Sequence, residues 1–266
     1  MRSRSLRILL ALAAVALAPA TASADTPLTV GQTWLGNSEA AWIFQGGCQT
    51  DAHGDRVIPV TYAGVSALQV TSYPEDVAAN NGTCGTSPND NPRAQLNGPN
   101  VMVAGGTYRI SGSMAFAPGF PAMLSGGWHE QIQWAYGPPY AGSPENRVMS
   151  TSSGLFGERK ADGPFDWGQV AMQKGTWWHF DFGVKLSTSA GGANCGWHWT
   201  AAYTTTYTVV YPAGGDNAPC EATIIASMSQ GPYRLILDSY AKAGSFPAGT
   251  PSTVYFGTDW KVQRTA

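Results

Sequence analysis

The sequence predicts an all-β fold, a β-sandwich of two antiparallel sheets. Three observations carry that prediction. Apolar and polar side chains alternate with period two along much of the chain, which turns one face of each strand to a core and the other to solvent. The 266 residues include 32 Gly and 18 Pro, residue types that weaken helix interiors, and no segment carries a long helical period. Clusters such as Ala117-Pro118-Gly119-Phe120-Pro121 and Gly137-Pro138-Pro139 interrupt the alternating runs as turns do. With 12% charged and 43% hydrophobic residues, the chain is neither a disordered tail nor a coiled coil. A formal net charge of −2 excludes a broad basic face for nucleic acid.

The N-terminus reads as a targeting segment. Arg2, Arg4 and Arg7 form a basic region, Leu6 to Leu17 an apolar one, and Ala22-Ser23-Ala24 a small-residue cleavage site. Residues 1–24 are therefore expected to be a secretory signal peptide, with the mature chain starting at Asp25. The apolar run is shorter than the roughly 20 residues that span a bilayer, so no membrane association is expected of the mature form. Cys48, Cys84, Cys195 and Cys220 all follow the cleavage site. In an oxidising compartment they read as two disulfides. Three pairings are open, and spacing favours Cys48–Cys84 and Cys195–Cys220, each contributing roughly 3 kcal/mol by restricting the unfolded chain. No linker or internal repeat divides residues 25–266, which read as one domain.

Strands follow in order. Over Thr107–Ala117, Tyr108, Ile110, Met114 and Phe116 share one face, and Arg109, Ser111 and Ser113 the other. Trp177–Ser187 places Trp178, Phe180, Phe182, Val184 and Leu186 opposite His179, Asp181 and Lys185. Tyr203–Tyr211 is a Thr-, Tyr- and Val-rich strand, and Tyr233–Ser239 and Val254–Val262 alternate again. In Trp128–Trp134, strict alternation projects His129, Gln131 and Gln133 to one side and Trp128, Glu130, Ile132 and Trp134 to the other. Three uncharged hydrogen-bonding side chains in a row suit a groove for a hydroxyl-rich or carboxylate-bearing ligand, and equally suit a solvated outer face. Glu130 among apolar neighbours is expected to pair with an Arg or to sit at a sheet margin.

Several short segments together resemble the concanavalin-A-like jelly-roll polysaccharide lyases, the alginate, glucuronan and heparin-lyase-I-like families. Arg93-Ala94-Gln95-Leu96 is similar to their R-[ST]-E-L strand, with Gln95 in place of Glu. Gln131-Ile132-Gln133 is similar to their Q-x-H strand, with Gln133 where His is expected and His129 two positions earlier. Gly231-Pro232-Tyr233-Arg234 is similar to their late G-x-Y-R strand, and Gly175 to Phe182 to the W-x-x-F strand before it. The resemblance runs over roughly residues 90–262 and implies a jelly roll that cleaves a uronate-containing glycan by β-elimination. It implies catalytic roles for Tyr233, His129, Gln131 and Arg93, and substrate contacts from Gln133, Gln95 and Arg234.

That chemistry needs a donor or cation to offset the uronate charge, a base for the C5 proton and an acid for the departing C4 oxygen. Arg93, Gln131 and Gln133 fit the first role, Tyr233 the acid, and either His129 or Tyr233 the base. The expected partner is an acidic polysaccharide met by a monomer, with no cofactor. The alternative is a secreted, non-catalytic carbohydrate-binding protein on the same sandwich, favoured by the missing His. Other constellations are weaker. No E-x-D-x-x-E strand supports a glycoside hydrolase, no G-x-S-x-G elbow a serine triad, and Asp51, His53 and Asp55 lack the rest of a calcium loop. Trp197 and Trp199 alternate with His198 in the manner of core residues, and Asn81-Gly82-Thr83 is a glycosylation sequon expected to go unused.

Overall fold

The computed structural model describes residues 26–46, 55–76, 91–103, 105–136, 146–160, 170–185, 198–203, 208–211 and 232–266. The signal segment, all four cysteines, Asp51, His53, the sequon, Trp197 and the turn at 137–139 lie outside the described residues. Within them the chain is strand almost throughout, with one 3-10 turn at Glu39–Ala41.

The strands form two antiparallel sheets, the sandwich that alternation predicts and the jelly roll that the resemblance implies. In the first sheet, β3 (Val57–Tyr62), β4 (Val65–Ser72), β15 (Ser252–Gly257), β6 (Thr107–Phe116), β11 (Trp177–Lys185), β12 (His198–Tyr203) and β13 (Thr208–Tyr211) are successive neighbours. In the same sheet, β16 (Lys261–Arg264) also pairs with β6, and β1 (Thr33–Leu35) pairs with β16. The second sheet runs β2 (Ile43–Gly46), β5 (Arg93–Asn97), β14 (Tyr233–Ala241), β7 (Trp128–Tyr136), β8 (Asn146–Thr151), β9 (Leu155–Lys160) and β10 (Val170–Ala171). The β3–β4 hairpin turns through Ala63 and Gly64, both at positive φ (47° and 80°). That conformation matches the twist of a two-residue hairpin, and glycine meets it without steric cost.

The core lies between the sheets. Tyr108, Ile110, Met114 and Phe116 of β6 and Trp178 and Phe180 of β11 are buried in it as alternation predicts. They meet Leu96, Ile132, Trp134, Leu235 and Leu237 of the second sheet. Arg109 and His179, on the opposite side of their strands, are exposed.

Two predicted strands are broken. Tyr203–Tyr211 is the joint of a hairpin: β12 ends at Tyr203, β13 begins at Thr208, and Trp199 pairs with Tyr211. Its β-branched run contains no turn residue to mark the break. Val254–Val262 divides into β15 and β16, both of which pair with β6. The four residues between Phe256 and Lys261 stand opposite only Gly112 and Ser113 of β6. There the Asp259 carboxylate takes over from the ladder, accepting from the Ser113 N–H at 2.9 Å and from Ser113 Oγ at 2.5 Å.

Candidate functional site

The outer face of the second sheet carries the densest polar cluster among the described residues. Pairing aligns Arg93 with Tyr240, Gln95 with Asp238 and Asn97 with Ile236, then Ile236 with Gln133 and Tyr240 with Glu130, and Gln133 with Arg147. Directly opposed residues of an antiparallel pair point to the same side, so these side chains form one surface opposite the core. Gln95, Asn97, Gln133, Glu130 and Asp238 are buried beneath it. Arg93, Trp128, Arg147, Arg234 and Tyr240 are half-buried around it.

Its contacts are specific. Asp238 Oδ2 accepts from Gln95 Nε2 at 3.0 Å and from Gln133 Nε2. Arg147 forms an ion pair with Glu130, the Arg partner expected of that buried carboxylate. The Arg93 guanidinium lies over the Tyr240 ring, 4.6 Å from its centroid, and Asn91 Nδ2 donates to the Tyr240 hydroxyl at 3.1 Å. Trp128 packs edge-on against Tyr240, with ring centroids 5.3 Å apart. Burial pushes the Tyr240 phenol above its ordinary value, with Arg93 opposing the shift, so Tyr240 is a proton donor and not a phenolate at neutral pH. Burial, reinforced by Glu130, drives the Asp238 carboxyl well above the usual range.

The residues named from sequence divide into two groups. Arg93, Gln95, Gln133 and Arg234 belong to this face. His129 and Tyr233 do not share it, contrary to the expected convergence. The pairing of β7 with β8 shifts register between Glu130 and Ile132, and with β14 between Leu237 and Tyr240. This β-bulge reverses the alternation, because one extra residue flips everything before it to the other side. His129 therefore falls on the same side as Ile132 and Trp134, inside the core, against Phe120 and Phe246 at ring distances of 5.0 and 5.8 Å. Its Nε2 meets Ser239 Oγ at 3.0 Å, and burial lowers its pKa to about 3. Gln131 sits at the bulge and turns inward, donating to the His129 carbonyl at 2.8 Å and to Ser150 Oγ at 3.1 Å. Tyr233 is fully buried in the core with Leu235 and Leu237.

Tyr240, Asp238, Arg147 and Trp128 belong to the face but are not singled out from the sequence as site residues. The signal for Tyr240 is the alternation of β14, which runs unbroken past Ser239 in its pairing with β5. Arg147 was foreshadowed only by the need of Glu130 for a partner.

No protein-family model and no curated protein matches the sequence. The structure is similar to the GH131 β-glucanase catalytic domain from Podospora anserina, with a TM-score of 0.53 and 10% identity over 83% of this chain and 84% of that one. It is also similar to an alginate lyase from Corynebacterium sp., with a TM-score of 0.48 and 13% identity over 81% and 83% of the two chains. An endo-β-1,4-glucuronan lyase from Trichoderma reesei aligns with a TM-score of 0.48 and 8% identity over 83% and 94%. These neighbours are jelly rolls, polysaccharide lyases and glucanases among them, and at such low identity the likeness is one of fold.

Proposed function

We propose that this chain is a secreted polysaccharide lyase that cleaves a uronate-containing glycan by β-elimination, as a monomer and without a cofactor. The observation that carries this reading is the Arg93 guanidinium stacked on the Tyr240 phenol at the rim of a face floored by Gln95, Gln133 and Asp238. Residues 1–24 support secretion. Arg93 offsets the uronate carboxylate and so acidifies the C5 proton. Glu130 is fully buried beneath the face in its ion pair with Arg147, so the C5 proton passes to a water on the face. The C5–H electrons form the C4–C5 double bond, the C4–O bond breaks, and the departing oxygen takes the Tyr240 proton.

The test follows absorbance of the unsaturated product on polymannuronate, polyguluronate, polyglucuronate and glycosaminoglycans. Tyr240→Phe is expected to lower turnover by a hundredfold or more, as general-acid loss does at about 10²–10⁴, while binding persists. Full turnover in that variant removes Tyr240 as the acid. New reducing ends without absorbance would indicate hydrolysis in place of elimination.

A second reading, a non-catalytic glycan-binding protein, is favoured by one observation: His129 and Tyr233, the expected base and acid, are enclosed in the core. Binding to these polymers with no product of either kind would establish it.

A further inference from the structure

Asp238 is a fully buried carboxyl in the middle of this face, and its two oxygens are treated differently. Oδ2 accepts from both glutamine amides. Oδ1 is buried, and among the described residues no donor reaches it. An ionised carboxylate held this way would leave half its charge without water, cation or hydrogen bond, which is among the costliest arrangements in a protein. A protonated carboxyl fits it directly: two donors on the bare oxygen, and the proton on the other.

Of the surrounding charges, Glu130 favours the protonated form and Arg93 opposes it, neither outweighing burial. The charged and titratable groups on the face are Arg93 from β5, Glu130 from β7, Arg147 from β8, and Arg234 and Tyr240 on β14 itself. Arg147 is committed to Glu130, and Arg93 lies over Tyr240. No ion pair links either guanidinium to Asp238.

We propose that Asp238 is a positioning residue held neutral beneath the face, where it fixes the Gln95 and Gln133 amides and, by withholding its charge, lets the face accept a polyanion. With Glu130 and Arg147 cancelling, the face keeps the positive charge of Arg93 and Arg234 for a uronate only while Asp238 retains its proton. Ionisation at alkaline pH adds a negative charge under the bound carboxylate and turns the amides from hydrogen-bond relay to full charge compensation. Affinity for a polyuronate therefore falls as the pH rises, for a reason internal to the site.

This inference rests on the glycan-binding reading, and two measurements on the full mature chain separate them. The first is a difference infrared spectrum of wild type against Asp238→Asn at neutral pH. A protonated-carboxyl stretch present in wild type and lost in the variant is expected; its absence in wild type overturns the proposal whether or not any glycan binds. The second is affinity electrophoresis on polyglucuronate across about pH 5 to 10, below the range in which the upshifted Tyr240 ionises and above that of His129. Wild type should weaken by roughly tenfold or more towards the alkaline end, the effect of one buried charge on a nearby anion at an effective dielectric near 20. Asp238→Asn, which stays neutral, should lose that alkaline decline. If the variant instead binds about tenfold more tightly than wild type at neutral pH, Asp238 was ionised all along and the proposal fails. A polymer panel that binds nothing overturns the glycan reading and leaves the infrared result to decide the proton.

Discussion

His129 shows how a residue type that suggests catalysis can instead be structural. Its ring is enclosed by Phe120 and Phe246, and Gln131 Nε2 approaches Nδ1. Protonation would set two donors against each other there. Burial keeps the imidazole neutral, with a folded pKa of about 3 against an ordinary 6.5. The unfolded chain thus takes up the proton first as the pH falls. The stability contributed is complete above about pH 6.5 and is lost progressively towards pH 3, by up to about 5 kcal/mol. Asp238 works in the opposite sense: its raised folded pKa contributes stability at low pH that is lost as the pH rises through that value. The two partly cancel in wild type, so a variant isolates His129. Urea unfolding of His129→Gln should show a shallower loss of stability between about pH 6.5 and 4 than wild type. Equal slopes would mean that the histidine is accessible to protons in the fold.

At the scale of the strand, interruptions matter more than regular pairing. The bulge in β7 decides which half of that strand faces the site. The break between β15 and β16 lets Trp260 fold over β6, with its indole Nε1 donating to the Ser113 carbonyl at 2.9 Å. Gly112 makes the crossing possible, since a Cβ there would stand 2.2 Å from the Trp260 ring. Gly112→Ala should destabilise the fold by about 1–3 kcal/mol through overpacking, read as a lower urea midpoint with an unchanged slope. The entry to β3 and the exit from β4 are tied by Arg56 and Asp76, whose bidentate contacts at 2.6 and 2.5 Å are fully buried. Arg56→Met would leave the Asp76 carboxylate buried without its cation and should cost about 3–5 kcal/mol. The exposed Arg109–Asp181 pair across β6 and β11 is the control, and Arg109→Met should cost under about 1 kcal/mol. Equal costs for the two would contradict the burial difference on which the prediction depends.

Across the whole molecule, polar groups occupy two distinct layers of the second sheet. The inner layer reaches between the sheets: Ser72 of β4 and Ser252 of β15 meet Ser239 of β14 at 3.0 Å each, and Ser239 continues to His129. Satisfied by one another, these side chains fix the relative register of the two sheets within an otherwise apolar core. The outer layer holds Arg93, Gln95, Gln133, Asp238 and Tyr240. It is on this layer that the proposed chemistry depends.

The antiparallel sandwich and the inward faces of β6 and β11 were legible in the amino-acid order, because period-two burial is a local property that each strand displays by itself. So was the placement of Arg93 and Gln95 together, two positions apart on one uninterrupted strand. Tyr233 shares the inward side of β14 with Leu235 and Leu237, and Tyr240 the outward side with Asp238, by the same unbroken alternation. Tertiary structure alone decided that His129 lies in the core. A bulge depends on how two distant segments register against each other, and one extra residue reverses every side chain beyond it without leaving a mark in the composition of either strand.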